Sequence, residues 1–287
     1  MPRQAYVNGR YVPHSQAAVH IEDRGYQFAD GVYEVVPVFN GILVDEDLHL
    51  DRLERSLREL RIAEPVTRPV LKMIARELMR RNGLSNGFVY MQITRGVAPR
   101  DHKFPKAAKP ALVLTTRQMK PHSQQVLDEG LKVITVPDQR WDRCDIKSVS
   151  LLPNILGKQA AVEAGAYEAW QVDAEGMVTE GTSTNAWIVT ADNKVVTRDA
   201  THSILNGITR ITLLELIRRE GYELEERPFS VAEAKKAKEA FLTSSTSFVL
   251  PITQLDGQPI GNGHPGILTG KLRQHYMDYM KGLKKSA

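Results

Sequence analysis

Two Asn-Gly pairs set the first limit on the architecture. Asn8-Gly9 stands inside "YVNGRYV" and Asn40-Gly41 inside "VYEVVPVFNGILV", each between short apolar and aromatic runs. Both residues of such a pair accept the positive φ of a two-residue hairpin, so each pair predicts neighbouring antiparallel strands. Helical patterns are kept apart from these runs. In "DEDLHLDRLERSLRELRI", Leu50, Leu53, Leu57 and Leu60 recur at helical spacing with charge on the other faces. Val70, Ile74 and Leu78 share a face over about residues 69–81, and Asn82-Gly83 supplies a stop. "FVYMQITR", "ALVLTTR" and "LKVITV" read as strands, and "NILGKQAAVEAGA" as a helix ending near Gly165. Further strands are expected in "YEAWQVD", "NAWIVT", "KVVT", "EAFLTS" and "SFVLPIT". A helix in "GITRITLLELIRREG" ends at Gly221, and a closing helix starts near Ile267. Hairpins with segregated helices predict an α+β fold rather than a doubly wound parallel sheet. The polar run "QMKPHSQQVLDEG" marks a boundary. It predicts a small domain over residues 1–120, a linker over 121–130 and a larger domain over 131–287.

The chain has 287 residues, 42% of them hydrophobic and 25% charged, which is enough to build a substantial globular core. Its formal net charge of +4 is spread among acids rather than gathered in a stripe, so a nucleic-acid partner is not expected. The one dense basic stretch, the C-terminal "KGLKKSA", reads as a solvated tail. A single cysteine, Cys144, rules out a disulfide framework within the chain and argues against a cysteine-based zinc site. With no apolar run near ~18 residues and no signal-peptide pattern, a cytoplasmic protein without a membrane partner is expected.

Several short stretches could carry chemistry. Lys147 lies among Ile146, Val149, Leu151, Leu152, Ile155 and Leu156, all of which favour leaving water. A lysine there either reaches back to solvent along its stem or acts as a desolvated amine. Burial disfavours an ammonium, and a neutral amine can form a Schiff base with a carbonyl. Cys144 reads as a small core filler, and Lys158 as a solvated helix lysine. In "MVTEGTSTNAWIV", Glu180 precedes Thr182, Ser183, Thr184 and Asn185: a polar turn, or an anionic group aimed into a site. Gly207 and Thr209 open a helix whose N–H groups and dipole favour an anion, although every helix has such an end. "LTSSTS" gathers hydroxyls at a strand end, and Arg52 sits in the first half of its helix. In "TRGVAPRDHKFP", Arg100 and His102 are one residue apart, so an extended backbone puts both on one face, able to grip a carboxylate. No Gly-rich dinucleotide or Walker loop occurs.

Taken together and in order, these stretches resemble one family, the class IV aminotransferases of pyridoxal-phosphate fold type IV. The segments "EDRGYQFADGVYEVVPVFNG", "HLDRLERS", "TRGVAPRDHKFP", "RWDRCDIKSVSLLPN", "VTEGTSTNAW", "ILNGITR" and "LTSSTS" carry the resemblance over nearly the whole chain. Within the family they are most similar to the enzymes that act on D-amino acids. The resemblance implies two α/β domains with the active site between them, and pyridoxal 5'-phosphate as cofactor. Lys147 falls at the Schiff-base lysine. Glu180 falls where a glutamate meets the cofactor's ring nitrogen, and Leu205 would lie against the ring. Arg52, Ile208 and Thr209 match phosphate-binding positions. Ser244 and Ser245 fall at further hydroxyl positions, Ser245 standing where Thr is expected. Tyr33, Arg100 and His102 match a trap for the substrate carboxylate, with the Arg and His supplied by a partner subunit, so a homodimer is implied. No metal is. The expected activity is ping-pong exchange of amino groups between D-amino acids, such as D-alanine and D-glutamate, and 2-oxo acids, such as 2-oxoglutarate and pyruvate. Aminotransferases of branched-chain L-amino acids or (R)-amines, and 4-amino-4-deoxychorismate lyase, share the fold and are the alternatives.

Overall fold

The computed structural model describes residues 3–283. Contacts group these into two compact units, one running to Lys120 and including Ile146–Ser150, the other made of Pro121–Asp145 and Leu151–Gly282.

The first unit opens with the hairpin of β1 (Gln4–Val7) and β2 (Arg10–Pro13), followed by a one-turn helix, α1 (Arg24–Phe28). The second hairpin joins β3 (Gly31–Phe39) to β4 (Ile42–Leu43). Both turns carry the Asn-Gly pairs, with φ of 45° at Asn8 and 97° at Gly9, and 50° at Asn40 and 75° at Gly41. Helices α2 (Glu46–Glu59) and α3 (Arg68–Asn82) come next, then β5 (Gly87–Thr94) and β6 (Ala111–Gln118). The six strands form one antiparallel sheet in the order β2-β1-β6-β5-β3-β4. Alternation along β3 sends Val32, Glu34, Val36 and Val38 to one buried side and Tyr33 and Val35 to the other. Leu50, Leu53 and Leu57 of α2, with Leu71, Ile74 and Leu78 of α3, complete that core. Each such side chain contributes roughly 1.5–3 kcal/mol on leaving water. Ile146–Ser150 lies along the free stretch of β3: Tyr33 N–H donates to the Lys147 carbonyl at 3.0 Å, and Val149 N–H to the Gly31 carbonyl at 3.1 Å.

The second unit begins with α4 (Gln124–Glu129) and β7 (Leu131–Pro137), then α5 (Leu152–Glu163) and the strands β8 (Glu168–Val172), β9 (Val178–Gly181), β10 (Asn185–Val189) and β11 (Val195–Thr197). Helix α6 (Ile208–Arg219), β12 (Leu224–Glu226) and α7 (Val231–Lys236) precede the hairpin of β13 (Glu239–Ser244) and β14 (Phe248–Leu255). The short β15 (Gln258–Pro259) and α8 (Ile267–Gly282) close it. The sheet runs β12-β11-β10-β13-β14-β7-β8-β9, with β15 on β14. Most neighbours are antiparallel, while β7 is parallel to both β14 and β8, and β12 to β11. The central strands are buried along their length, which is why "AWIV" of β10 reads as unbroken apolar residues. Trp187 of β10 stacks on Phe241 of β13 at 5.3 Å, one of the cross-strand pairs that fix register.

These units cut the chain differently from the expected domains in two places. Residues 121–130, read as a linker, hold α4, whose Ser123 side chain caps the Val126 N–H and whose Glu129 carbonyl accepts from Thr253. None of its residues is buried, so its composition is that of a loop. Ile146–Ser150 groups with the first unit because its backbone pairs with β3. The basic tail from Lys284 onward lies outside the described residues. Among those described, no helix is long and apolar enough to cross a membrane.

Candidate active site

Lys147 sits on the strip paired with β3, between buried Ile146 and Ser148, and is itself half-buried. Its register opposite Tyr33 places the two side chains on one face, with Lys147 Nζ 4.2 Å from the centre of the Tyr33 ring. That ring stacks in turn on Tyr90 at 5.7 Å. Burial pushes the Tyr90 phenol up to about 12, with the neighbouring Tyr33 adding to the effect. The phenol therefore stays neutral and donates to Gln92 Oε1 at 2.7 Å. The amine thus has a rigid aromatic floor and an open side.

On the opposite face of β3, Glu34 points into the core and meets α2. Arg52 grips it with two bonds, Nε to Oε1 at 2.7 Å and Nη2 to Oε2 at 2.9 Å, and His49 Nδ1 lies 2.8 Å from Oε2. Burial alone would raise the Glu34 carboxyl, but the charge and hydrogen bonds of Arg52, with those of His49, hold it well below the carboxylate range. Burial lowers His49 against the pull of Glu34. The planar Arg52 fork is consequently fixed in direction, which an unpaired arginine on a helix would not be.

Arg100 and His102 are exposed, and both pack on Phe28 of α1: Arg100 Cζ is 4.6 Å from the ring centre and the His102 ring 5.5 Å away. Tyr33 belongs to the Lys147 cluster, so within one protomer the three expected carboxylate-binding residues form two groups.

In the second unit, Glu180 is the last residue but one of β9, and three donors converge on it. Arg140 Nη1 and the Leu205 N–H (3.1 Å) reach Oε1, and Asn185 Nδ2 reaches Oε2 at 3.1 Å. Arg140 is also chelated by Asp138 at 2.9 and 2.7 Å. Burial works against the Arg140 cation, yet the Asp138 bonds and the Glu180 charge raise its pKa, so it remains charged. Asn185 also donates to the Leu205 carbonyl at 2.9 Å, which ties Leu205 to the glutamate by both its N–H and its carbonyl. Gly207 lies against the same asparagine: a Cβ there would come 2.1 Å from Asn185 Oδ1. Only glycine permits that approach, and Gly207 begins α6 without a side-chain cap, leaving the helix start to Ile208 and the buried Thr209.

The hydroxyl runs divide. Thr182, Ser183 and Thr184 do not stand beside Glu180 as donors; all three turn to the fully buried Glu168, Ser183 and Thr184 at 3.2 Å each. A buried carboxylate must be satisfied, and this turn does so. Lys158, expected in solvent, donates to the Tyr167 carbonyl and lies 3.9 Å from Glu168. At the β13–β14 turn, Thr243 accepts from Trp187 Nε1 at 2.9 Å and Ser247 pairs with the Tyr167 hydroxyl at 3.1 Å. Ser244 accepts from the Ser247 N–H at 3.0 Å while its own hydrogen can point outward, and Ser244 and Ser245 are only half-buried. Cys144 is half-buried, and burial pushes its thiol up to about 12, so it is no nucleophile.

Glu34, Arg140 and Phe28 escape a reading of the sequence alone, and Asn185 is legible there only as one member of a polar turn. Their roles depend on partners far along the chain; the one local hint is Glu34, a charge at an inward position of a strand.

Each unit by itself offers groups of a kind that suits part of a phosphorylated aldehyde on a pyridine ring: the first an amine and a guanidinium, the second an anchored carboxylate, an uncapped helix start and hydroxyls. Among the described residues, no group of three His, Cys, Asp or Glu could hold a metal ion.

The family description "Amino-transferase class IV" matches residues 31–255. D-alanine aminotransferase of Bacillus licheniformis is 45% identical over 263 residues, 91% of this chain and 92% of that protein. D-alanine aminotransferase of Staphylococcus haemolyticus is 36% identical over 278 residues, 97% and 98% of the two chains. Among solved structures, the branched-chain amino acid aminotransferase from Thermobaculum terrenum in its PLP form superposes with a TM-score of 0.85 at 25% identity, covering 98% of this chain and 94% of that one. The chain belongs to the class IV aminotransferases. It has their α+β fold and is a pyridoxal-phosphate-dependent enzyme acting on amino acids and 2-oxo acids.

Proposed function

We propose that this enzyme moves the amino group of D-amino acids, D-alanine and D-glutamate among them, to 2-oxo acids such as 2-oxoglutarate and pyruvate. The observation that carries the reading is Arg100 and His102 side by side on one exposed loop, in a chain whose relatives are D-alanine aminotransferases. Two such donors can fork a carboxylate from one side and so fix which hydrogen of the α-carbon faces the base.

The bound cofactor supplies an electron sink for the pair left on the α-carbon. Lys147 Nζ would hold the cofactor through its carbonyl carbon, and as a free amine beside Tyr33 it would take the α-proton of the substrate. Glu180, its charge anchored by Arg140, Asn185 and Leu205, favours a proton on the ring nitrogen. Leu205, tied through both its N–H and its carbonyl, would lie against the ring. Arg52 as oriented by Glu34, the N–H groups of Ile208 and Thr209, and the hydroxyls of Thr209, Ser244 and Ser245 would hold the phosphate. Because one site serves both half-reactions, the first 2-oxo acid leaves before the second binds, which gives ping-pong kinetics.

The working form is a homodimer in which the partner presents its Arg100 and His102 beside Tyr33. Helix α5 supports this. Leu152, Ile155 and Leu156 form an i, i+3, i+4 stripe and are 65%, 60% and 57% exposed, with Val162 at 58%. The sequence predicts these residues out of water; a second protomer would cover them. A single cysteine suits the reducing cytoplasm, where we place the enzyme.

A donor screen with 2-oxoglutarate tests the reading. Keto acid should form from D-alanine and not from L-leucine. Activity confined to L-leucine would overturn the D-specific assignment, and pyruvate release without an acceptor would point to a lyase.

A further inference from the structure

We propose that Phe28 and Arg24 are the positioning residues that make Arg100 and His102 a carboxylate-recognising pair. Phe28 is the platform on which both lie, and Arg24 fixes the backbone between them. The inference rests on the reading of Arg100 and His102 given above.

An exposed arginine loses rotamer freedom when it is held still, so a precise pair on an open loop needs an external support. The first unit supplies one. The Phe28 ring has Arg100 Cζ at 4.6 Å, Arg24 Cζ at 4.8 Å and the His102 ring at 5.5 Å. A phenyl face attracts a guanidinium by its quadrupole and leaves the edge N–H groups free to bind an anion. Arg24, only 3% exposed, donates through Nη1 to the carbonyl of Asp101 at 2.6 Å. Asp101 is the residue between Arg100 and His102, so this one bond holds the peptide that joins the pair.

The support is itself anchored. Arg24 and Phe28 sit at i and i+4 of α1, on one face of its single turn. Asp23 caps that turn by accepting from the Gly25 N–H at 2.8 Å, and it also accepts from Thr94 Oγ1 at 2.8 Å. Arg24 Nε pairs with Asp30 Oδ2 at 2.8 Å, and Arg95 grips the same carboxylate at 2.7 and 2.9 Å. Arg95 then lies 3.7 Å over Phe104, at the far end of the loop. The loop is pinned at Asp101 and at Phe104 through one shared aspartate. This gives α1, too short to build a core, a task.

The test uses the holoenzyme and compares D-alanine with D-alaninamide, which lacks the carboxylate. Phe28→Leu should raise KM for D-alanine and for the 2-oxo acid roughly 5- to 20-fold, with little change in kcat. KM for D-alaninamide, cofactor absorbance and Tm should hold. Phe28→Tyr should restore the D-alanine KM, and Arg24→Lys, losing the planar fork that joins Asp30 to the Asp101 carbonyl, should behave as Phe28→Leu does; it carries the test if Phe28→Leu gives no holoenzyme. Equal losses on both donors, or no loss on either, would overturn the proposal. Arg100→Gln separates the two levels. If it abolishes the preference for D-alanine while Phe28→Leu and Arg24→Lys keep it, only the positioning role fails. If Arg100→Gln keeps the preference, the carboxylate reading falls, and this inference with it.

Discussion

Adjacent positions of β3 organise two separate tasks: Tyr33 floors the Lys147 amine on one face while Glu34 aims Arg52 on the other. Replacing Lys147 by Ala should remove the long-wavelength absorbance of the covalently held cofactor and lower transamination by more than about 100-fold, the usual worth of a positioned base. Both are read on the purified protein, and retention of either would remove Lys147 from its assigned role. Glu34→Gln strips a buried arginine of its counter-charge and should cost about 3 kcal/mol in denaturant unfolding at pH 7, with weaker cofactor binding. The pH dependence has a definite sign. The folded pKa is depressed, so the contribution of Glu34 is present above its unfolded value, about 4.3, and is lost as pH falls toward the folded value. The stability difference between wild type and variant should therefore shrink only below about pH 4.

At the scale of elements, local signals are legible in the sequence and partnered ones are not. The Asn-Gly hairpins, the leucine stripe of α2 and the Gly stops after α3 and α6 each carry their conformation in a few adjacent residues, and each forms where expected. Helices α1, α4 and α7 have five or six residues and no full apolar period, so no pattern announces them. Glu180 is legible as an acid in a polar turn; that Asn185 and Arg140 anchor it is not, because those bonds form only after β9 and β10 are folded. The hydroxyls of Thr182 to Thr184 mislead for the same reason: Glu168, which claims them, lies fourteen or more positions earlier. Helix α5 shows the converse error. Its apolar residues are averse to water, as their chemistry says, but a single chain leaves them bare. If the proposed homodimer pairs through α5, Ile155→Glu with Leu156→Glu leaves the fold intact and halves the mass seen by sedimentation, and KM for D-alanine climbs as the donors proposed to come from the partner are lost. An unchanged mass would remove α5 from the dimer contact.

Over the whole molecule, the order of segments along the chain is not the order of the compact units. Ile146–Ser150 closes the exposed margin of β3 at Gly31–Tyr33, although more than twenty residues of the second unit come before it. A ladder of unsatisfied N–H and carbonyl groups at a sheet margin invites pairing with other chains. The N-terminal piece therefore has no clean place to be severed: excised at Lys120, it would carry an open flank and lack Lys147, the amine proposed to hold the cofactor. Anyone grafting, splitting or permuting this protein must transplant that five-residue ribbon along with the sheet it completes.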